Sequence, residues 1–140
     1  MENKKHKLIA DVAVCRGKNV LLVKYANSNA NDHQQGWFLP DELITYGEHP
    51  ADEVNRILKN QLGIEYASPS LDHIESFIGN DGTWHLVFHF NVELGMDEEL
   101  SVSNEIAEYE WFAVNNLPEK SEVAHNGWAL QTVENIFNRK

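Results

Sequence analysis

One stretch of the chain, residues 36–64, constrains the fold most because it carries its own helix start and stop signals. Its sequence is GWFLPDELITYGEHPADEVNRILKNQLGI. Pro50 suits the first position of a helix, where its missing N–H would have no partner anyway. Gly63 suits the position just past a helix end, where left-handed backbone geometry is needed. The stretch predicts a short buried strand at 37–39, a polar loop, and a helix that starts at the proline and stops at the glycine.

The predicted helix has one apolar stripe and one polar face. Apolar residues recur at the three- and four-residue spacing of a helix that packs on a core. They are Ala51, Val54, Leu58 and Leu62. The opposite face carries Glu53, Arg56, Asn60 and Gln61. Because a loop that leads into a helix with a polar face toward a cleft is a common site architecture, we expect the functional side chains in this stretch.

The composition limits both the class of protein and its partners. The chain has 140 residues, of which 42% are hydrophobic, enough for a single domain (1–140) with its own core; residues 1–6 are polar and expected to be loose. A formal net charge of −11 argues against nucleic acids and membranes as partners. The presence of only three arginines limits phosphate binding, because arginine is the usual partner of phosphate oxygens. Cys15 is the only cysteine, and we find no signal peptide or membrane-spanning run, so we expect a cytoplasmic protein.

Strand and helix patterns continue on both sides of residues 36–64. The strand-like runs are residues 8–14, 19–25, 71–78, 83–94 and 105–112. The first two are separated by a short glycine turn, so we expect an antiparallel hairpin. A polar loop occupies 27–35, and an amphipathic helix closes the chain at 123–138. This order predicts an α/β fold in which helices pack on a mixed sheet.

The order and spacing of these motifs resemble the Nudix hydrolase family. The family's signature, the Nudix box, runs glycine, five residues, glutamate, seven residues, then Arg-Glu-apolar-x-Glu-Glu-x-Gly-apolar. The chain fits this frame without a gap. Its matching residues are Glu48, Arg56, Leu58, Gly63 and Ile64. The resemblance continues to the end of the closing helix and implies a Nudix α/β/α sandwich, a mixed β-sheet with the box helix and a C-terminal helix packed on it.

The chain departs from the signature at the positions that carry the family's chemistry. The first glycine is Glu42 here, and the three later glutamates are Ile57, Asn60 and Gln61. In the family these helix carboxylates bind Mg²⁺ or Mn²⁺, since hard divalent cations prefer carboxylate oxygen. Ile57 can bind no metal, and the two amides offer only neutral oxygens. The resemblance therefore implies an altered and weakened site, with Mg²⁺ or Mn²⁺ as the cofactor if the protein is active.

Other acids form a replacement set of candidate metal ligands. They are Glu48, Glu53, Asp41, Glu42 and Glu105. Glu53 lies one helical turn before Ile57, so its side chain leans toward the same cleft. Glu48 and Glu53 are also candidate catalytic residues, with Arg56 as the partner that orients Glu48 through a salt bridge. The alternative interpretation is that all five are solvated surface acids of an acidic chain.

Three further functional assignments come from single side chains. Lys24 and Arg56 are the basic residues that we place near the cleft, and Tyr46 is an aromatic ring for stacking on a base, so these three are the candidate substrate-binding residues. His125 is a candidate general base, with a capping or surface histidine as the alternative interpretation. His73, His85 and His89 are a candidate transition-metal set, because His85 and His89 share one face of a predicted strand.

Two classes of function are consistent with this sequence. The first is a hydrolase of a nucleoside diphosphate linked to another moiety, such as a nucleotide sugar. Residues 84–110 are broadly similar to the GDP-mannose mannosyl hydrolase branch, which has also lost part of its glutamate set. The second is a non-catalytic Nudix module that binds a nucleotide-like metabolite or a protein partner. A homodimer with a vestigial cleft is a third possibility. The surviving Glu48 favours the first class, and the missing helix carboxylates favour the second.

Overall fold

A mixed six-stranded β-sheet forms the centre of the molecule in a computed structural model that describes residues 5–27, 35–65, 67–79 and 82–138. The strands are β1 (His6–Arg16), β2 (Asn19–Tyr25), β3 (Asp41–Leu43), β4 (Ser70–Ile78), β5 (Trp84–Glu93) and β6 (Ile106–Ala113). The helices are α1 (Pro50–Arg56) and α2 (Ala124–Asn138). The expectations for residues 1–4 and for most of the 27–35 loop fall outside the described residues.

The sheet order is β4-β5-β1-β2-β6, and β3 pairs with β1. β1 and β5 run parallel over ten residue pairs, while the other strand pairs are antiparallel. This arrangement confirms the predicted mixed sheet. A parallel pair needs a long crossover connection, and here residues 17–83, which include α1, provide it.

The chain just before α1 is inserted between β1 and β2. These two strands pair directly only next to their turn, at Cys15–Val20 and Arg16–Asn19. Farther from the turn they separate, and residues 37–43 fill the opening. The Val12 amide donates to the Pro40 carbonyl at 3.0 Å, and Val23 and Phe38 exchange two backbone hydrogen bonds. The predicted hairpin is therefore paired along a small part of its length, since a third segment takes its central hydrogen bonds.

Each face of the sheet carries one helix. Alternate residues of a strand point to opposite faces. On one face, Val12 and Val14 of β1 pack with Val54 of α1 and with Leu58 and Leu62 after it. On the other face, Ala13 and Cys15 of β1 pack with residues of α2 that include Val133 and Ile136. The layers confirm the predicted α/β/α sandwich and place the Cys15 thiol in the core.

The box helix begins and ends where the sequence predicts, but its geometry changes midway. α1 begins at Pro50, and the ring nitrogen Nδ1 of His49 accepts a hydrogen bond from the Ala51 amide at 3.0 Å. From Ile57 to Gln61 the chain continues as one turn of π-helix, and Gly63 follows with φ 71°. Gln61, predicted on the polar face, is 2% exposed, whereas Leu62 lies in the core as predicted.

Among the described residues, no helix is both long enough and apolar enough to cross a membrane.

Candidate active site

A groove rich in carboxylates lies where β3 meets α1; we call it the acidic groove. Its polar lining includes Glu42, Glu53, Arg56, Asn60 and Glu105. β3 is held against β1 by three residue pairs, which brings Glu42 to the side of the helix. Three of the five acids in the predicted metal set, Glu42, Glu53 and Glu105, therefore line one groove.

Glu53 is the most firmly held of these acids. It is 3% exposed, and its Oε1 accepts hydrogen bonds from the Thr45 amide (3.0 Å), the Thr45 hydroxyl (3.1 Å) and the Arg56 guanidinium (2.9 Å). Burial by itself would raise the pKa of Glu53, but the hydrogen bonds from Arg56 and Thr45 outweigh it and lower the pKa below its ordinary value. Glu53 is therefore an ionised carboxylate in a fixed position.

Arg56 forms ion pairs with two glutamates, Glu48 and Glu53. Its Nη2 donates to Glu53, and its Nη1 lies 3.4 Å from Oε1 of Glu48. The guanidinium thus orients Glu48, as the sequence predicts, and it also holds Glu53, which the sequence did not indicate. Glu48 is about one-third exposed and borders the groove through this ion pair.

Glu42 and Glu105 line the same groove, and their negative charges repel each other. Partial burial, followed by the negative charges of Glu105 and Glu53, raises the pKa of Glu42. Glu105 is positioned by the segment before it, because the Ser101 and Ser103 amides donate to the last carbonyls of the box helix, those of Leu62 and Gln61. Repulsion among carboxylates in one groove is the electrostatic condition that a bound cation relieves.

Gln61 has a structural role. Its Oε1 accepts a hydrogen bond from the Tyr25 hydroxyl at 2.8 Å, and its Nε2 donates to the Asp41 carbonyl at 2.9 Å. The Tyr25 hydroxyl also accepts from the Asp41 amide at 2.9 Å. Burial raises the pKa of Tyr25 well above its ordinary value, so the phenol keeps its proton and donates. Both polar atoms of the Gln61 side chain are therefore hydrogen-bonded, and Gln61 links the box helix to β2 and β3.

The side chains that could bind a metal in the groove differ from those of the signature, but they still suit a divalent cation. Ile57 is 2% exposed and packs in the core, and Gln61 is engaged with Tyr25 and Asp41. Of the three substituted helix positions, Asn60 alone is exposed, and it lines the groove. Glu42, Glu53 and Glu105 supply three carboxylates, the ligand type that Mg²⁺ and Mn²⁺ prefer.

A second cavity, of about 190 Å³, adjoins the groove; we call it the aromatic cavity. Six of the residues that line it carry rings, and Lys7 also lines it. The rings belong to Tyr25, Phe38, Phe77, His85, His125 and Trp128. Glu42, Leu43 and Glu105 line both spaces, so the acidic groove and the aromatic cavity share one wall. Asp41 faces the aromatic cavity, and burial, then the charges of Asp11 and Glu42, raises its pKa well above its ordinary value.

His125 stands at the start of α2 in an unusual backbone conformation. Its φ is 54°, a left-handed value that costs energy in a residue with a side chain. Its ring packs edge-on against Phe38 and Trp128, with ring centroids 6.0 and 5.7 Å away. Burial, then the nearby His85 and Lys7, lowers the pKa of His125, so its imidazole is neutral near pH 7. The cavity thus holds a neutral histidine in a strained position.

Two of the sequence-predicted binding residues lie apart from both spaces. The Lys24 amine sits 4.6 Å from the ring centroid of Trp37 and 3.4 Å from a Glu108 carboxylate oxygen. Tyr46 is fully exposed in the turn before α1. Lys7, Phe77 and Trp128 line the aromatic cavity instead. They come from β1, β4 and α2, and no local pattern in the sequence links these three elements.

The described fold and site define an α/β/α domain with a carboxylate groove along a loop–helix segment. Residues 5–131 match the NUDIX domain, and the chain belongs to the Nudix family. Comparison with curated proteins gave no match.

Solved structures with the same fold come from several Nudix proteins. The MutT NUDIX hydrolase of Burkholderia pseudomallei is similar with a TM-score of 0.76 and 19% identity, covering 95% of this chain and 99% of that chain. The dihydroneopterin triphosphate pyrophosphohydrolase of E. coli has a TM-score of 0.75 and 14% identity, covering 98% and 100%. The Ap4A hydrolase of C. elegans has a TM-score of 0.72 and 14% identity, covering 94% and 96%. At these identities the similarity establishes the fold.

Proposed function

We propose that this protein is a Nudix hydrolase that acts on a nucleoside diphosphate linked to another moiety, such as a nucleotide sugar. One observation carries the proposal: the acidic groove and the aromatic cavity share the wall formed by Glu42, Leu43 and Glu105. A substrate with a charged diphosphate and a ring would place each part against the surface that suits it. A nucleotide-like small molecule is therefore the proposed ligand.

The acidic groove is the proposed diphosphate side of the site. A phosphate cannot approach Glu42, Glu53 and Glu105 without a counter-charge, and Arg56 is already paired with two glutamates. These three carboxylates would hold Mg²⁺ or Mn²⁺, which neutralises phosphate oxygens and makes phosphorus more electrophilic. Because Glu53 stays ionised and fixed, it is the proposed anchor of the ligand set, and Glu48 remains a proposed outer partner through Arg56.

The aromatic cavity is the proposed ring side of the site. Tyr25, Phe38 and Trp128 offer apolar ring surfaces, and stacking on such surfaces tolerates any base or sugar ring. His125 is neutral near pH 7 and can accept a proton from an attacking water. We assign it the role of general base. The similarity to the mannosyl hydrolase branch makes cleavage at the sugar carbon one alternative and cleavage at phosphorus the other.

A second candidate is a non-catalytic module that binds the same class of ligand. The Gln61 amide and the Ile57 side chain favour it, because both box positions serve the core and cannot ligate a metal. In this case the cavity binds a nucleotide-like metabolite or a protein partner without turnover.

One assay separates the two candidates. The purified protein is incubated with Mg²⁺ or Mn²⁺ and a panel of nucleoside triphosphates, ADP-ribose, dinucleoside polyphosphates and nucleotide sugars, and the products are resolved by chromatography. We expect turnover of a nucleotide sugar or a related diphosphate. Reaction in ¹⁸O-labelled water then places the label on phosphate or on sugar and so identifies the bond that breaks.

Matched variants tie the activity to the groove. Glu42→Gln and Glu105→Gln remove carboxylates that line the groove, whereas Glu119→Gln removes an exposed acid elsewhere. We expect the first two to lower turnover by at least about tenfold and the third to leave it unchanged. Turnover equal in all three variants would contradict the proposed site. Ligand-induced thermal stabilisation without turnover would establish the binding module.

A further inference from the structure

A second group of metal-ligating side chains lies on the α2 face of the sheet, away from the acidic groove. It consists of His73 and Glu75 on β4 and His89 on β5, whose ligand atoms lie within 4.8 Å of one another. The Nε2 atom of His89 is 2.6 Å from Oε1 of Glu75, and the Nε2 atom of His73 is 3.9 Å from the same oxygen. Two imidazole nitrogens and one carboxylate oxygen thus converge on one point.

The other nitrogen of each imidazole is held by a further carboxylate. Nδ1 of His89 is 2.7 Å from Oδ1 of Asp11, and Nδ1 of His73 is hydrogen-bonded to Oδ2 of Asp72. This pairing fixes the orientation of both rings and directs both Nε2 atoms toward Glu75. In metal sites, a histidine ligand often donates its second ring N–H to a carboxylate in this way. The carboxylate sets the tautomer of the histidine and increases its basicity.

Hydrogen bonding alone leaves part of this arrangement unexplained. His89 and the Trp128 indole both donate to Glu75, but the His73 Nε2 atom is too far from Glu75 for a hydrogen bond. The His73 and His89 rings lie 4.6 Å apart with a tilt of 33°, so two imidazoles of shared orientation face one acid. A cation between the three ligand atoms would use the lone pair of each Nε2 atom.

We propose that His73, Glu75 and His89 bind a divalent transition metal, and that Zn²⁺ suits this donor set. Two histidines and one glutamate leave a fourth position of a tetrahedral site for water. Mg²⁺ does not suit it, because the hard cation prefers a shell of oxygen atoms. The site is independent of the proposed hydrolase function. It would tie β4 to β5 and, through the Trp128 indole on Glu75, to the wall of the aromatic cavity.

Calorimetry with metal-free protein tests the proposal. We expect one equivalent of Zn²⁺ to bind, with at least tenfold weaker binding in His73→Gln and in Glu75→Gln. His6→Gln, which removes an exposed histidine at the start of β1, is the matched control and binds as wild type does. Asp72→Asn keeps all three ligands and is expected to weaken binding by about tenfold or more. Circular dichroism verifies that each variant folds.

Two further readouts locate the ion. Zn²⁺ is expected to shift the ¹⁵N resonances of Nε2 in His73 and His89 and to leave those of His6 in place. A large excess of Mg²⁺ should not displace Zn²⁺. Absence of Zn²⁺ binding, wild-type binding by His73→Gln and Glu75→Gln, or displacement by Mg²⁺ would each overturn the site, and displacement would assign the ion to the acidic groove.

Discussion

At the scale of single residues, the box shows two amide substitutions with different physical consequences. Asn60 is exposed and lines the acidic groove, while Gln61 is buried and bonded at both ends of its amide. In the signature both positions are glutamate. We therefore expect the fold to tolerate a return to glutamate at position 60 but not at position 61.

Asn60→Glu is expected to strengthen metal binding. It adds a fourth carboxylate to the groove, and Mg²⁺ affinity rises with the number of charged ligands. We expect Mg²⁺ to bind about tenfold more tightly, measured by calorimetry, with a change in unfolding free energy of less than about 0.5 kcal/mol. Unchanged Mg²⁺ affinity would mean that the ion, if bound, sits away from Asn60.

Gln61→Glu is expected to destabilise the fold. The new carboxylate can still accept from Tyr25, but it cannot donate to the Asp41 carbonyl and would repel that oxygen. Loss of a buried hydrogen bond together with burial of a charge costs about 2–4 kcal/mol. Urea unfolding measures this difference directly. A variant as stable as wild type would show that the Tyr25–Gln61–Asp41 network contributes little.

The pH dependence of activity tests the assignment of His125. A base must be unprotonated to act, and the pKa of His125 is lowered below its ordinary value of 6.5. Activity should therefore be constant near pH 7 and fall as the pH drops through a value below 6.5. His125→Gln should reduce turnover by about 10²–10⁴-fold and remove this acid limb. An acid limb that persists in the variant would assign it to another group.

The sequence could not show this difference between Asn60 and Gln61, because the partners of Gln61 come from distant strands. A regular helical period places Gln61 on the polar face with Glu53 and Arg56. Tyr25 of β2 and the Asp41 carbonyl of β3 take both ends of the amide, and Gln61 is buried between them. The Glu48–Arg56 pair, by contrast, was predictable, because the matching box frame brings these two residues together.

At the scale of elements, the end of the box helix depends on one close approach. Gly63 adopts φ 71°, and a Cβ atom there would lie 2.7 Å from Cβ of Ser101. The Ser101 amide also donates to the Leu62 carbonyl at 2.9 Å. The glycine therefore allows the segment that leads to Glu105 to pack against the helix end.

Gly63→Ala is expected to cost more stability than Gly17→Ala. Both glycines have positive φ, which costs about 1–2 kcal/mol with any side chain. Gly17 has open space around it, whereas alanine at position 63 must also displace Ser101. We expect unfolding free energies lower by about 1 kcal/mol for Gly17→Ala and by about 2–4 kcal/mol for Gly63→Ala, measured by urea unfolding. Equal losses would show that the Ser101 segment moves freely.

The elements themselves were largely predictable, and their partners were not. Most strand positions and both helices follow from periodicity and from Pro50 and Gly63. The strand predicted at 37–39 is an exception: Trp37 and Phe38 make only isolated bridges, and the paired strand is Asp41–Leu43. The insertion of residues 37–43 between β1 and β2 has no signal in the local pattern, since it depends on hydrogen bonds to distant Val12 and Val23. The aromatic cavity was missed for the same reason, because its residues come from separate elements.

At the scale of the whole molecule, charge decides how the protein responds to ions. A net charge of −11 produces self-repulsion that any salt screens. A specific Mg²⁺ site should add stability beyond this screening. We expect millimolar Mg²⁺ to raise the melting temperature more than NaCl of equal ionic strength does, and Glu42→Gln to reduce the difference. Equal effects of the two salts on wild type would argue against a specific site.

The opening between β1 and β2 also has a consequence for the order of events in folding. A complete local hairpin would form within microseconds, but it would occupy the backbone groups that residues 37–43 need. Such a hairpin must reopen before the centre of the sheet can form. β1 must also pair with β5, its parallel partner, which lies far along the chain. Non-local pairing of this kind slows folding, so a growing chain cannot complete the centre of its sheet until Glu93 has left the ribosome.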